Sequence, residues 1–218
     1  MSSQKVFLVF GATGQTGQHF VSLALNAGHK VRALARNPAK ITLKSLDLEV
    51  HQGAVSDIPD LDKLVEGVDF VISMLGDVNL QKHNKINTAF VKNLVPAMRR
   101  QGVKRFLYQA GGLSKPPNQQ LSPLLWTIKN TAARGYMGQH EDNEAVMEYL
   151  LKEADDVEWT VHRAGIGSNG PSKGVLQRSK SKFSVATFVD CAAYNYRTLM
   201  DLSAIHTCDL SFYQKGDD

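Results

Sequence analysis

The sequence predicts a single α/β domain built on a doubly wound, mostly parallel sheet. Strand-like apolar runs alternate with helical segments along the chain, which is typical of this class. The first run, residues 6–10, is apolar at every position and so suits a strand covered on both faces. A glycine-rich turn then leads directly into a helical segment. Since 218 residues fit one such domain, we predict a single domain over 1–218 with small C-terminal loops.

The composition is that of a soluble globular chain, with 43% hydrophobic and 21% charged residues. The net charge of +4 is too small to indicate a nucleic-acid partner without a concentrated basic patch. Cys191 and Cys208 lack the spacing of metal ligands, so we expect no metal site, no disulfide scaffold and a reducing, cytoplasmic location. The N-terminal segment has no long apolar stretch, so we expect neither a signal peptide nor a membrane span.

The alternation of segments predicts six parallel strands joined by right-handed crossovers, in a three-layer Rossmann fold. The predicted strands are 6–10, 30–34, 48–50, 68–75, 103–108 and 157–163. The predicted helices are 20–27, 61–66, 85–100 and 139–153.

Two segments interrupt this alternation and are predicted to be loops. Residues 111–123 contain Gly-Gly and Pro-Pro, and residues 165–182 are rich in Gly, Ser, Lys and Arg. Both follow strands, and ligands of a doubly wound sheet bind beyond the carboxyl ends of its strands. These loops are therefore either walls of a ligand site or ordinary mobile connections. Trp126 and Trp159 are expected to pack in the core.

The turn between the first strand and the first helix predicts a site for the diphosphate of a dinucleotide. Gly11 permits the sharp turn, Gly14 lets backbone approach the diphosphate, and Gly17 lets helix and sheet pack closely. The helix then presents unpaired N–H groups to the phosphates. Hydroxyls of Thr13 and Thr16 can add hydrogen bonds. The predicted phosphate site comprises Gly11, Thr13, Gly14, Gln15, Thr16 and Gly17.

The end of the second strand indicates which dinucleotide binds. A site for NAD usually carries Asp or Glu there to hold the ribose 2′-hydroxyl. This chain has no acid at that position and instead has Arg36, whose guanidinium can pair with a 2′-phosphate. We therefore expect NADP(H) as the cofactor, with Lys40 or Arg32 as possible helpers. The alternative is that Arg36 is only a surface cation.

The chain resembles the atypical short-chain dehydrogenase/reductase superfamily, in particular its NmrA-like and flavin (biliverdin-IXβ) reductase-like branch. The resemblance begins with GATGQTG at 11–17 and ARNP at 35–38 and continues through segments 53–57, 69–76, 102–108 and 158–165. It implies that Ala54 and Val55 flank the adenine of the cofactor. It also implies that Met74, Leu75 and Gly76 flank the ribose and nicotinamide.

Catalytic residues are less evident than cofactor residues. Standard short-chain dehydrogenases use a Tyr-x-x-x-Lys pair, in which lysine lowers the tyrosine pKa, and this chain has none. The nearest equivalent is Tyr136 with His140, one helical turn apart, as an acid/base pair. The alternative is a surface aromatic and a histidine at a helix start. Arg163 could meet an anionic substrate or cap the sheet, and Glu144 could point into the cleft.

The resemblance and the glycine turn together imply an NADPH-dependent oxidoreductase that reduces a small planar acceptor such as a quinone, a flavin or a carbonyl compound. Hydride transfer is chemistry of the cofactor, so a missing catalytic triad does not exclude a reductase. The alternative is a regulatory protein of NmrA-like type that senses NADP(H) and binds a protein partner without turnover.

Overall fold

The computed structural model describes residues 3–214, which form three layers around one large sheet. The helices are α1 (Gln15–Asn26), α2 (Leu61–Val65), α3 (Val78–Gln81), α4 (Ile86–Arg100), α5 (Pro123–Asn130), α6 (Met137–Glu153) and α7 (Phe188–Met200). The strands are β1 (Val6–Phe10), β2 (Lys30–Ala35), β3 (Leu48–Gln52), β4 (Phe70–Ser73), β5 (Arg105–Gly111), β6 (Glu158–Ala164), β7 (Ile166–Ser168), β8 (Leu176–Ser179), β9 (Ala186–Thr187) and β10 (Thr207–Tyr213).

The large sheet has eight strands in the order β3-β2-β1-β4-β5-β6-β10-β8. All neighbours pair in parallel except β8, which runs antiparallel to β10. The strand order reverses at β1, since β2 lies on one side and β4 on the other. A ligand crevice is expected at such a reversal, beyond the carboxyl ends of the strands. The predicted Rossmann fold is confirmed.

Both faces of β1 are buried, as its uninterrupted apolar sequence predicts. Successive side chains point to opposite faces of the sheet. Phe7 therefore packs on Phe20 of α1, with ring centroids 5.8 Å apart. Phe10 packs on Phe90 of α4, with ring centroids 4.6 Å apart. One layer contains α1 and α7, and the opposite layer contains α2, α4 and α6.

The six predicted strands are all present, with ends shifted by a few residues. The sequence interpretation missed β9, β10, which adds a seventh parallel strand, and the helices α3, α5 and α7. It was wrong in making 165–182 a loop throughout, because β7 and β8 lie within it. β8 is a short, mostly exposed edge strand, and polar, charged residues are usual on such strands.

The two tryptophans have different environments. Trp159 is buried on β6, as predicted, whereas Trp126 is 60% exposed on α5, so its predicted place in the core was wrong. Within residues 3–214 no helix is both long and apolar enough to cross a bilayer.

Candidate functional site

The glycine turn has the geometry that its spacing predicts. Gly11 has φ +87°, and a Cβ on it would lie 2.6 Å from the carbonyl oxygen of Met74. Gly17 sits in the first turn of α1, where a Cβ would overlap the carbonyl oxygen of Gly11. These two glycines therefore hold α1 close to the ends of β1 and β4. Gly14 is different, because it is exposed and a Cβ on it would lie 3.2 Å from the nearest atom, the carbonyl oxygen of Gly11.

The N-terminus of α1 is open to an anion. Gly14 is the N-cap residue and supplies no side-chain cap, and the first turn contains no acidic residue. The first-turn N–H groups of a helix have no partner inside the helix and carry a partial positive charge. The side chain of Gln18 turns back and donates to the carbonyl of Thr13 at 3.0 Å, which braces the turn. The arrangement can bind a diphosphate.

A cleft runs along the carboxyl ends of the strands on both sides of this turn. It has two parts, one beside the end of β2 (the β2 part) and one beside the end of β6 (the β6 part). Both parts are lined by Gly14, Met74, Leu75 and Gly76. The β2 part is further lined by Gly11, Thr13, Leu34, Ala35, Arg36, Gly53, Ala54, Val55, Ser56, Asp77, Leu80, Ile86 and Asn87. The β6 part is further lined by Gln15, Thr16, Gly17, Gln109, Ala110, Gly111, Gln139, Asn143, Ala164, Ile166 and Phe188.

The structure thus brings all twelve predicted cofactor residues to the walls of one cleft. Those from the second strand and the segments after β3 and β4 lie on the β2 part, and Gln15, Thr16 and Gly17 lie on the β6 part. The sequence interpretation did not assign Asp77, Gln139 or Asn143 to the site. A helical spacing of four between Gln139 and Asn143 is the signal that could have placed both on one face of α6.

Arg36 is the exposed cation of the β2 part. Its side chain is 68% exposed, and one guanidinium nitrogen lies 3.4 Å from the carboxylate of Asp77. Arg32, which the sequence suggested as a helper of Arg36 at the 2′-phosphate, is engaged elsewhere. Its guanidinium donates to the carbonyls of Leu64 and Glu66 at the end of α2 and pairs with a carboxylate on β3. Arg32 therefore connects β2 and β3 to α2.

Asp77 also caps α3. One of its carboxylate oxygens accepts a hydrogen bond from the backbone N–H of Leu80 at 3.1 Å. Its own N–H donates to the side chain of Gln81 at 3.0 Å. The acid is therefore held beside the cleft by the helix that it starts.

A buried polar cluster lies behind the β6 part. The Tyr108 hydroxyl donates to the carbonyl oxygen of Asn143 at 2.6 Å and accepts from the amide of Asn87 at 3.0 Å. Burial, with the nearby Asp142 carboxylate, raises the pKa of Tyr108 far above its usual range. Tyr108 therefore stays protonated and orients Asn143, which lines the cleft.

Asp142 fixes α4 against α6. Its carboxylate is fully buried and accepts from the backbone N–H of Asn87 at 3.0 Å and of Thr88 at 2.9 Å. It also accepts from the Gln81 side chain at 2.8 Å. The N-cap residue of α4, Lys85, makes no side-chain cap, so Asp142 performs this function from the neighbouring helix.

The structure separates the environments of Tyr136 and His140. Tyr136 is half exposed just before α6, whereas His140 is buried inside its first turns. His140 has Nδ1 3.4 Å from the Ser114 hydroxyl, and no hydrogen bond joins it to Tyr136 among residues 3–214. Burial, together with the charge of Lys129, lowers the pKa of His140 to about 4. The imidazole is therefore neutral near pH 7.

Arg163 and Glu144 are not on the walls of the cleft. Arg163 is buried and donates to the carbonyls of Ser114 at 3.0 Å and Gly112 at 3.3 Å, so it braces the loop after β5 instead of meeting a substrate. Glu144 pairs with Lys129, which explains why it does not point into the cleft as its helical position allowed. Across residues 3–214 no cluster of His, Cys, Asp or Glu could hold a metal ion.

Comparison with known proteins identifies the family of this chain. The model of the NAD(P)H-binding family matches residues 11–189, which include all the walls described above. The chain is 40% identical over 72 residues to (4-alkanoyl-5-oxo-2,5-dihydrofuran-3-yl)methyl phosphate reductase of Streptomyces griseus, covering 33% of this chain and 25% of that protein. It is 33% identical over 124 residues to the isoflavone reductase homolog IRL of Zea mays, covering 52% and 38%. These matches thus span well under half of the relatives' lengths.

Solved structures agree on the fold. The oxidoreductase ylbE of Lactococcus lactis superposes with a TM-score of 0.76 at 18% identity, covering 96% of this chain and 91% of that one. ChuY, an anaerobilin reductase of Escherichia coli O157:H7, superposes with a TM-score of 0.74 at 17% identity, covering 98% of each chain. With the family match over most of its length, the chain belongs to the NAD(P)H-binding family.

Proposed function

We propose that the protein is an NADPH-dependent oxidoreductase that reduces a small planar acceptor such as a quinone, a flavin or a carbonyl compound. The observation that carries the proposal is the cleft with its two adjoining parts. It extends from Arg36 past the open N-terminus of α1 to the amides at the end of β5 and on α6. This order of a cation, an anion site and a polar pocket matches the order of groups along NADPH.

In this proposal each part of the cleft has one task. The first-turn amides of α1, with Thr13 and Thr16, hold the diphosphate, and Gly14 leaves room for it. Ala54 and Val55 flank the adenine. Arg36 pairs with the 2′-phosphate, which selects NADPH over NADH. The predominantly apolar walls of the β2 part suit an adenine ring.

Met74, Leu75 and Gly76 are proposed to flank the ribose and nicotinamide, and the acceptor to stack in the β6 part. The bound cofactor supplies a hydride, and the residues of this chain orient the two rings and exclude water. Phe188, Ile166 and Ala164 form the apolar side of that part of the cleft. A planar acceptor fits such a wall better than a highly charged one.

The proton is proposed to come from solvent. The two side chains that α6 presents to the β6 part are Gln139 and Asn143, and an amide has no proton to give near pH 7. Quinones and flavins can take a proton from water after hydride transfer. Tyr136 and His140 are the alternative donors. Tyr136→Phe and His140→Gln test them, because a donor variant lowers kcat and changes its pH profile.

The side-chain amides of Gln139 and Asn143 in the β6 part also fit a second proposal, in which the protein senses NADP(H) and binds a protein partner without turnover. A regulatory protein needs the cofactor site but no acid or base beside the nicotinamide. Purified protein is mixed with NADPH and a panel of menadione, FMN and aldehydes, and NADPH absorbance is followed. A reductase oxidises NADPH with at least one acceptor. Tight binding without oxidation across the panel favours the sensor and contradicts the enzyme.

A further inference from the structure

Gln109 lies on the wall of the β6 part, and its side chain is oriented by a buried chain of hydrogen bonds. The carbonyl oxygen of its amide accepts from the Asn195 side chain at 2.7 Å. Asn195 is fully buried on α7. Gln109 belongs to β5, at a position that faces α7, opposite to the face of Tyr108.

Asn195 is itself held in one orientation. Its side-chain oxygen lies 2.6 Å from Nδ1 of His162, a fully buried residue of β6. Nε2 of His162 lies 2.9 Å from the hydroxyl of Ser211 on β10. Since Asn195 uses its amide nitrogen toward Gln109, its oxygen must accept from His162 Nδ1–H. The Nε2 atom then accepts from the Ser211 hydroxyl.

These hydrogen bonds use the side-chain oxygen of Gln109 and leave its amide nitrogen for a ligand. Its oxygen is occupied by Asn195, and its amide nitrogen makes no hydrogen bond with any residue among 3–214. That nitrogen is not among the buried polar atoms without a partner, so it reaches the open cleft. An amide nitrogen carries two N–H donors and no acceptor. Gln109 therefore presents a fixed donor to a ligand.

We propose that Gln109 donates a hydrogen bond to a carbonyl oxygen of the ring bound in the β6 part, and that Asn195 and His162 are positioning residues for this donor. The inference rests on the proposed function. The carbonyl is either that of the nicotinamide carboxamide or that of the acceptor. In either position a preoriented donor fixes how the ring lies in the cleft, because a rotated ring leaves a buried N–H unpaired.

Gln109→Met tests the inference, because Met keeps the length of the side chain and removes both N–H donors. Gln109→Glu keeps the oxygen that Asn195 contacts, replaces the amide nitrogen with a second oxygen and adds a negative charge, so it carries the test if the Met variant fails to fold. Gln177→Met is the matched control, since Gln177 is exposed on the edge strand β8 and does not line the cleft. Thermal unfolding of each variant checks that the fold is retained.

The first arm measures binding by fluorescence titration with NADPH and with 2′-phospho-ADP-ribose, which lacks the nicotinamide. If the donor contacts the carboxamide, both Gln109 variants weaken NADPH binding about three- to tenfold and leave 2′-phospho-ADP-ribose unchanged. The second arm measures the KM for menadione and FMN. If the donor contacts the acceptor, NADPH binding is unchanged and the KM of the acceptor rises by a similar factor.

Unchanged values in both arms overturn the inference, and so does unchanged NADPH binding in a protein that reduces neither menadione nor FMN. Equal losses for NADPH and 2′-phospho-ADP-ribose also overturn it, because they indicate a general disturbance of the cleft. The proposed function is judged separately on the wild-type protein, because it requires that this protein bind NADPH and oxidise it with at least one acceptor of the panel. Failure of the wild type to bind any nicotinamide nucleotide is the separate outcome that ends the proposed function.

Discussion

The guanidinium of Arg36 lies 3.4 Å from the carboxylate of Asp77 and joins the end of β2 to the segment after β4 beside the cleft. Arg36 is 68% exposed and Asp77 is 29% exposed, so solvent weakens their attraction. In the proposed site a 2′-phosphate would compete with Asp77 for this cation. The pair would then set how much of the charge of Arg36 is available to the cofactor.

Asp77→Asn is expected to strengthen NADPH binding about two- to fivefold, with a smaller change for NADH. Asn removes the competing charge but still caps α3, because Asn and Asp are equivalent at helix N-caps. Fluorescence titration in low salt and in high salt measures the gain, which shrinks as salt screens the charges. Weaker NADPH binding in this variant would mean that Asp77 contacts the cofactor itself.

Two glycines of the turn are expected to respond differently to one added methyl group. Gly17→Ala forces a Cβ into the carbonyl of Gly11, so it lowers the free energy of unfolding, by about 1–3 kcal/mol. Gly14→Ala is expected to cost less stability, since Gly14 has φ −74° and its Cβ would lie 3.2 Å from the carbonyl oxygen of Gly11, a contact that a small shift relieves. Its methyl group instead faces the proposed diphosphate.

Chemical denaturation and NADPH titration separate these effects. Gly14→Ala is expected to unfold near the wild-type midpoint while losing NADPH affinity. Wild-type affinity in a folded Gly14→Ala variant would place the diphosphate elsewhere.

The stability of the protein is expected to fall as the pH drops from about 6.5 toward 4. Burial lowers the pKa of His162 to about 4, and burial with the charge of Lys129 does the same for His140. In the unfolded chain both imidazoles bind a proton as the pH falls below their ordinary pKa of 6.5, whereas in the folded chain they do not until about pH 4. The contribution of the two histidines to the free energy of unfolding is therefore full above pH 6.5. Below pH 6.5 this free energy falls by up to about 1.4 kcal/mol per pH unit for each histidine.

His162→Gln removes one of the two contributions, so the free energy of unfolding should depend less steeply on pH between 6.5 and 4. The exposed His83 provides the control variant His83→Gln, for which we expect the wild-type slope. Urea denaturation across this pH range makes the comparison. An identical slope in His162→Gln and wild type would show that His162 is not buried as a neutral imidazole.

The fold was predictable because its signals are local. The apolar run of β1 and the three glycines of the turn lie within residues 6–17, and their spacing alone defines the turn. β8 escaped prediction because an edge strand gains its structure from pairing with β10, and its polar sequence resembles a loop. α7 was missed because no element was predicted after residue 182.

The candidate site was only partly predictable. Arg36 followed from a known position relative to the glycines, and the structure places it on the cleft. Arg163 was ambiguous, because only the structure shows its guanidinium on the carbonyls of Gly112 and Ser114. Gln109 carries no motif, and its orientation depends on Asn195, 86 residues away along the chain. Contacts between residues so far apart along the chain leave no pattern in a single sequence.

The central claim is that NADPH binds in this cleft with its 2′-phosphate on Arg36. Titration of wild type and Arg36→Ala with NADPH and NADH tests it, and Lys180→Ala serves as the control because Lys180 is an exposed cation outside the cleft walls. We expect Arg36→Ala to weaken NADPH binding about 10- to 100-fold and to change NADH binding less than about threefold. Equal losses for both nucleotides, or no binding of either by the wild-type protein, would contradict the claim.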